Sequence, residues 1–181
     1  MIQNSIPKVL ILGNFPPPYG GVPEHIENLL KQIEHIGYSC TVISGGNSGS
    51  EKFRVHTIHK PTNKQKISFL LKSIFTSYFF FFLYHYAVKS RDLRSFLRAS
   101  IYTAFCLNIT KNCQYEVVSY YNVYNYGLIA KVLAEKRNLK LVGNVFGEIY
   151  EKPALRQNAE VFAKVLDQSA LLLSCSQHCA N

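Results

Sequence analysis

Short, uninterrupted apolar runs alternate with segments of helical periodicity, and this alternation narrows the fold more than any other feature of the chain. Lys8–Leu12 is such a run, and it reads as a strand buried on both faces, the pattern of parallel sheets. The next stretch carries Pro16, Pro17 and Pro18 with Gly13, Gly20 and Gly21, which excludes regular structure there. Pro23 suits the first turn of a helix, and Glu24 and Glu27 suit the positive end of its dipole. Ile26, Leu29, Leu30, Ile33 and Ile36 then form one apolar stripe, closed by Gly37 as a C-cap. Residues 40–44 form a second apolar run, so residues 8–44 read as a strand–helix–strand crossover. Further strands are expected at 53–58, 115–120, 140–145 and 170–174. Helices are expected at 65–88, 92–112, 127–138 and 154–168, and Ser176 is placed to cap another. The fold class that follows is α/β, with a doubly wound parallel sheet of about six strands. No internal repeat is apparent.

A chain of 181 residues, 48% apolar, fits one domain with a full core. With 17% charged residues it falls outside the disordered and low-complexity classes. Its five cysteines are scattered and odd in number, which argues against a disulfide framework. The N-terminus has no signal-peptide pattern, so the cytosol is the expected compartment. The net charge of +9 is concentrated in one place. Residues 52–111 carry eleven Lys and Arg against a single acid, Asp92. Such a block draws anionic partners: acidic lipid, nucleic acid or phosphorylated substrates.

The same block holds the most apolar run, residues 73–88, without a formal charge. A membrane-spanning helix needs ~20 apolar residues, so this run is short, and Thr76, Ser77 and His85 weaken it further. Two readings remain open. In one, Phe79 and Phe80 sit in the headgroup zone of a membrane while Lys64, Lys66, Lys72, Lys89 and Arg91 contact its anionic surface. In the other, the run is a helix in the domain's own core with solvated basic ends. The first places the protein peripherally on the inner face of the membrane.

In an open α/β sheet, ligands bind beyond the C-terminal ends of the strands, where the loop after the first strand lies. Gly20 and Gly21 let backbone amides approach a ligand, and the helix starting near Pro23 aims its positive end into the same space. A phosphate or diphosphate suits such a corner, while the bland alternative is an ordinary turn. Neither a G-x-G-x-x-G fingerprint nor a Gly-Lys-Ser/Thr P-loop occurs.

The stretch from Val9 to Ile43 combines a strand, the proline run, Gly20-Gly21, a helix leading to Gly37-Tyr38 and then Thr41-Val42-Ile43. It resembles the opening of retaining GT-B glycosyltransferases of family four. Val117–Tyr121, the run from Leu141 to Gly147, and the run from Leu171 to Ser176 are similar to later landmarks of that family. The resemblance covers nearly the whole chain, with residues 60–112 aligning loosely. It implies the N-terminal, acceptor-side, Rossmann-like half of a GT-B architecture, occupying residues 1–181 with the basic, aromatic helical segment at 60–112. It further implies that Gly20 and Gly21 approach the donor diphosphate. Acceptor contacts are expected from Tyr19, Tyr121, Asn122 and Phe146; Tyr121 and Asn122, with Tyr124, follow strand four at the ligand-facing edge, and the alternative for these three is packing against the next helix. His25 lies where relatives place a polar active-site residue; the alternative is an exposed helix histidine without a role. Where the family often has a histidine before the glycine after strand five, this chain has Phe146 before Gly147, and Glu148 is the candidate replacement, or else a solvated loop carboxylate. The family's donor-binding half and its Glu-x7-Glu motif have no counterpart before Asn181.

The expected function is therefore acceptor binding in retaining sugar transfer from a nucleotide sugar to a lipid-linked or polysaccharide acceptor, with the isolated chain inactive. The nucleotide-diphosphate sugar enters as substrate, and no cofactor is expected. The partners are a separate donor-binding domain, a glycan or lipid-linked acceptor and an anionic membrane surface. Alternatives are a non-catalytic, membrane-docked partner of a donor-binding chain, and a basic nucleic-acid-binding domain. Against the last, the Phe run is too apolar for a solvated groove and no nucleic-acid motif occurs, so nucleic acid is not an expected partner. Cys175, His178 and Cys179 offer three ligands where structural zinc wants four, so no metal is expected. No Ser-His-Asp or Cys-His catalytic arrangement can be argued from the spacing.

Overall fold

The computed structural model describes residues 8–14, 21–44, 56–58, 61–146 and 157–174. The strands are β1 (Lys8–Leu12), β2 (Ser39–Ile43), β3 (His56–Ile58), β4 (Val117–Tyr121), β5 (Lys140–Val145) and β6 (Leu171–Ser174). The helices are α1 (Gly21–His35), α2 (Asn63–Ile74), α3 (Ser77–Phe82), α4 (Leu93–Ile109), α5 (Leu128–Arg137) and α6 (Ala159–Asp167). Every strand pairing is parallel, and the strand order is β3-β2-β1-β4-β5-β6. The molecule is thus an α/β protein with a parallel sheet of Rossmann-like order.

Register divides each strand between two faces. Leu10 pairs with Val118 and Leu12 with Tyr120. These residues pack with α2 to α6 through Phe69, Phe82, Phe105, Leu128, Leu133 and Phe162. Ile11 and Tyr121 point to the opposite face, where Ile26 and Leu30 of α1 cover them together with Cys40 and Val42. Among the described residues the helical layers are unequal, with α1 on one face and α2 to α6 on the other. Leu10, Ile11 and Val42 are fully buried, and each such side chain stabilises the fold by roughly 1.5–3 kcal/mol. Ile36, the last residue of the apolar stripe, lies beyond the end of α1 and is exposed. Gly37 closes that helix at φ +81°, a conformation that favours glycine.

The single helix expected at 65–88 is broken. α2 ends at Ile74, α3 starts at Ser77, and the two axes bend by 97°. Local hydroxyl groups account for the break. Ser73 Oγ donates to Leu70 O at 2.7 Å, Thr76 Oγ1 donates to Ser73 O, and Thr76 adopts extended backbone. These bonds compete with the helical ladder. Beyond α3 the chain continues as a π-helical turn, Leu83–Lys89. Asn158, buried beside α6, braces that turn by donating to His85 O at 3.1 Å while its Oδ1 faces His85 Nδ1 at 3.2 Å. α2 is fixed at its start by a capping box: Thr62 Oγ1 accepts from Gln65 N, and Thr62 N donates to Gln65 Oε1 at 2.9 Å.

The expected helix at 127–138 is preceded by a second π-helical turn, Val123–Gly127. Of the third expected strand, residues 53–55 lie outside the described residues, as do Ser176 and its proposed cap.

Candidate functional site

β1 is flanked by β2 on one side and by β4 on the other. The chain leaves β1 toward α1 on one face and leaves β4 toward α5 on the other. The C-terminal ends of β1 and β4 therefore diverge into a crevice, the switch point at which open α/β sheets bind ligands. Gly13 turns the chain out of β1. A Cβ there would lie 2.6 Å from Ile26 Cδ1 and 3.3 Å from Tyr121 Cβ, so a larger residue would have to push the buried Ile26 side chain aside.

Three residues from separate stretches meet on the α1 side. The His25 ring lies 5.6 Å from Tyr121 and 6.1 Å from Phe146, and Tyr121 and Phe146 stack at 6.0 Å. The trio is graded from core to surface: Tyr121 is fully buried, Phe146 half-buried and His25 exposed. Among the described residues the Tyr121 hydroxyl has no hydrogen-bond partner, and burial, then the nearby Cys40 thiol, push its pKa well above the usual phenol value. Its ring is a packed floor beneath His25, closed to solvent. Gly21 begins α1, and the space where its Cβ would be is open. The first amides of a fifteen-residue helix have no intrahelical acceptor and carry its positive end.

A polar shelf lines the other side. Tyr126 donates from its hydroxyl to Asn14 Oδ1 at 2.9 Å, and Arg98 Nη2 donates to the Tyr126 hydroxyl at 3.1 Å. Arg98 Nη1 donates to Asn125 Oδ1 at 3.3 Å, and its guanidinium lies 5.2 Å from the Tyr126 ring. Asn122 holds this turn in place: it adopts φ +73°, and its Oδ1 accepts from Asn125 N at 2.9 Å. The ion pairs among the described residues are Lys31–Glu27 and Lys131–Glu135, so Arg98 presents its charge with neutral partners. Tyr124 is locked away from the crevice. Its hydroxyl donates to Asp92 and its carbonyl accepts from Tyr86 at 2.8 Å. Burial, together with the Asp92 carboxylate, pushes the Tyr124 pKa up to about 12.

The fold thus brings His25, Tyr121 and Phe146 together and sets Asn122 and Gly21 at the same edge of the sheet. Tyr19, Gly20 and Glu148 lie outside the described residues, as do Cys175, His178 and Cys179. Asn14, Arg98 and Tyr126 did not stand out in the sequence. An asparagine directly after the first strand's glycine was the available signal for Asn14, whereas Arg98 was hidden within a long basic block. No group of three or more potential metal ligands occurs among the described residues. A cavity of about 580 Å³, lined by Lys8, Lys111, Cys113, Glu116 and Arg137, lies at the opposite, N-terminal edge of the strands and has no part in this crevice.

Among the membrane-surface candidates, Lys64, Lys72, Lys89, Arg91 and Phe80 are exposed, while Lys66 is half-buried. Phe79 is half-buried, edge-on to Phe96 at 5.1 Å. Among the described residues no single helix is long and apolar enough to cross a membrane, and only the bent pair α2 and α3 with its π-helical turn reaches that length and composition.

The fold and crevice define an α/β protein of Rossmann-like topology with a cluster of aromatic and polar side chains at its switch point. No protein-family model matches the sequence, and no characterised protein matches it significantly.

Proposed function

We propose that this chain is the acceptor-side half of a retaining sugar transferase, in which a nucleotide-diphosphate sugar donates to a lipid-linked or polysaccharide acceptor. The observation that carries the reading is the meeting of His25, Tyr121 and Phe146 beside the start of α1, at the switch point of the sheet. The sequence resemblance assigns roles to His25 and Phe146, whereas Tyr121, expected to contact the acceptor, lies fully buried beneath His25 and serves as its support. In this reading Gly21 and the free amides of α1 receive the departing diphosphate. His25 faces the reacting sugar and Phe146 offers it an apolar face. Arg98, Tyr126, Asn14 and Asn122 form the polar wall against which an acceptor hydroxyl or phosphate is oriented.

Amide chemical-shift mapping with pyrophosphate and with a nucleoside diphosphate tests the reading. Shifts are expected at Gly21, Val22 and His25. Gly21→Ala should leave thermal stability unchanged, since a Cβ there meets nothing within 4 Å, yet abolish those shifts by blocking close approach. Shifts confined to the opposite edge around Lys8 and Lys111, or none at millimolar ligand, would refute it.

A further inference from the structure

The helical segment after β3 turns two apolar rows outward. On α2, Ile67, Leu71 and the capping residue Phe75 recur every four residues, and all three are exposed, Phe75 by 91%. On α3 and its π-helical continuation, Phe80, Tyr84 and Val88 recur with the same spacing and are also exposed. The opposite faces of both helices, with Phe69, Tyr78, Phe82 and Tyr86, are buried in the core. The core reading and the surface reading of this run therefore each describe one face of it. The rows meet at the 97° elbow, where Phe75 is the most exposed large apolar side chain.

Charge selects the occupant. Lys64, Lys72, Lys89, Arg91 and Arg94 are exposed around these rows. Asp92, the one acid of residues 52–111, is turned inward, accepting from Ser95 N at 2.9 Å and from the Tyr124 hydroxyl. Glu135 of α5, which lines a cavity beside Ser77, Tyr78 and Phe81, is paired with Lys131, and apolar side chains flanked by such an excess of cations match the interface of an anionic bilayer, with tails beneath and phosphate headgroups around. A protein partner or nucleic acid fits less well: the first has no need of uniform positive charge, and the second cannot solvate the apolar rows.

We propose that the α2–α3 elbow is a wedge that docks this protein on the surface of an anionic lipid bilayer, with Ile67, Leu71, Phe75, Phe80 and Tyr84 entering the headgroup–acyl boundary and the flanking Lys and Arg contacting lipid phosphates. The proposal is independent of the sugar-transfer reading, because the wedge lies outside the crevice and shares no residue with it.

The test is flotation of the full chain with vesicles of phosphatidylcholine plus phosphatidylglycerol, compared with phosphatidylcholine alone. The expected result is recovery on the anionic vesicles, lost in about 1 M salt, where the Debye length falls to ~3 Å. Phe75→Ser should weaken binding about tenfold with circular dichroism and melting unchanged, because the side chain is exposed, and Lys72→Glu about fivefold or more with helix content unchanged and melting slightly lowered, because it loses the contact of Lys72 with the Phe69 ring and puts an acid in the last turn of α2. Equal recovery on neutral vesicles, no recovery, or unchanged binding by both variants overturns the proposal. So does a stable dimer that Phe75→Ser disperses, or retention on nucleic acid in place of vesicles.

Discussion

Tyr121→Phe is expected to stabilise the protein. The Tyr121 ring is fully buried between α1 and the sheet, and its hydroxyl has no partner among the described residues. A buried, unsatisfied hydroxyl costs roughly 1–3 kcal/mol. Removing the oxygen forfeits a few dispersion contacts, each about 0.1–0.2 kcal/mol, and leaves a gap too small for water. The net gain is about 1 kcal/mol. For a chain of this size that raises Tm by roughly 2–4 °C. Urea unfolding followed by circular dichroism should show a higher midpoint with an unchanged slope, since the exposed surface does not change. The variant should also keep the amide response to pyrophosphate, because the phenol is closed to solvent. A midpoint that falls would refute the reasoning, since it would mean that the hydroxyl makes a bond worth more than its burial costs.

Gly143→Ala should destabilise by about 1–3 kcal/mol, because the new Cβ would lie 2.5 Å from the Tyr120 hydroxyl and 2.7 Å from Leu172 Cδ2, and the buried Tyr120 ring cannot swing aside. Tyr120→Phe in the same chain should recover part of that loss in a double-mutant cycle of unfolding midpoints. Asp92→Ala removes the N-cap of α4 and the acceptor of the Tyr124 hydroxyl, costing about 1–2 kcal/mol at neutral pH. Burial raises the Asp92 pKa, but the bonds from Ser95 and Tyr124 outweigh it and hold the carboxyl below its usual value. A depressed folded pKa gives stability that is complete above the unfolded value near pH 4 and is lost as pH falls through the folded value. Wild type and variant should therefore converge in acid; a difference that stays constant from neutral pH down to about pH 2 would contradict this assignment.

The sequence by itself determined the chain's periodic elements. β1 and β5 lie where the apolar runs predict them, and β2, β4 and β6 within two residues; β1, β2 and β4 are apolar because they are buried between the layers, whereas β6 is apolar yet exposed along its length. The stripe of α1, its Gly37 cap and the parallel crossover were equally legible, since each depends on residues a few positions apart. The hydroxyls of Ser73, Thr76 and Ser77 carried a signal for the break in the next helix, but the apolar run around them has the composition of an uninterrupted helix.

Tertiary structure alone decided what depends on distant partners. Tyr121 and His25 are 5.6 Å apart across ninety-six positions of chain, and only the register of β1 against β4 puts one beneath the other. The Asn14–Tyr126–Arg98 shelf joins β1, the turn after β4 and α4, so no local spacing encodes it. The run at 73–88 reads as either core or surface because composition does not say which side of a helix faces the sheet. Packing against α4 settled it, burying Phe82 and leaving Phe75 and Phe80 outside, since a helix on a sheet has room to cover only one of its faces.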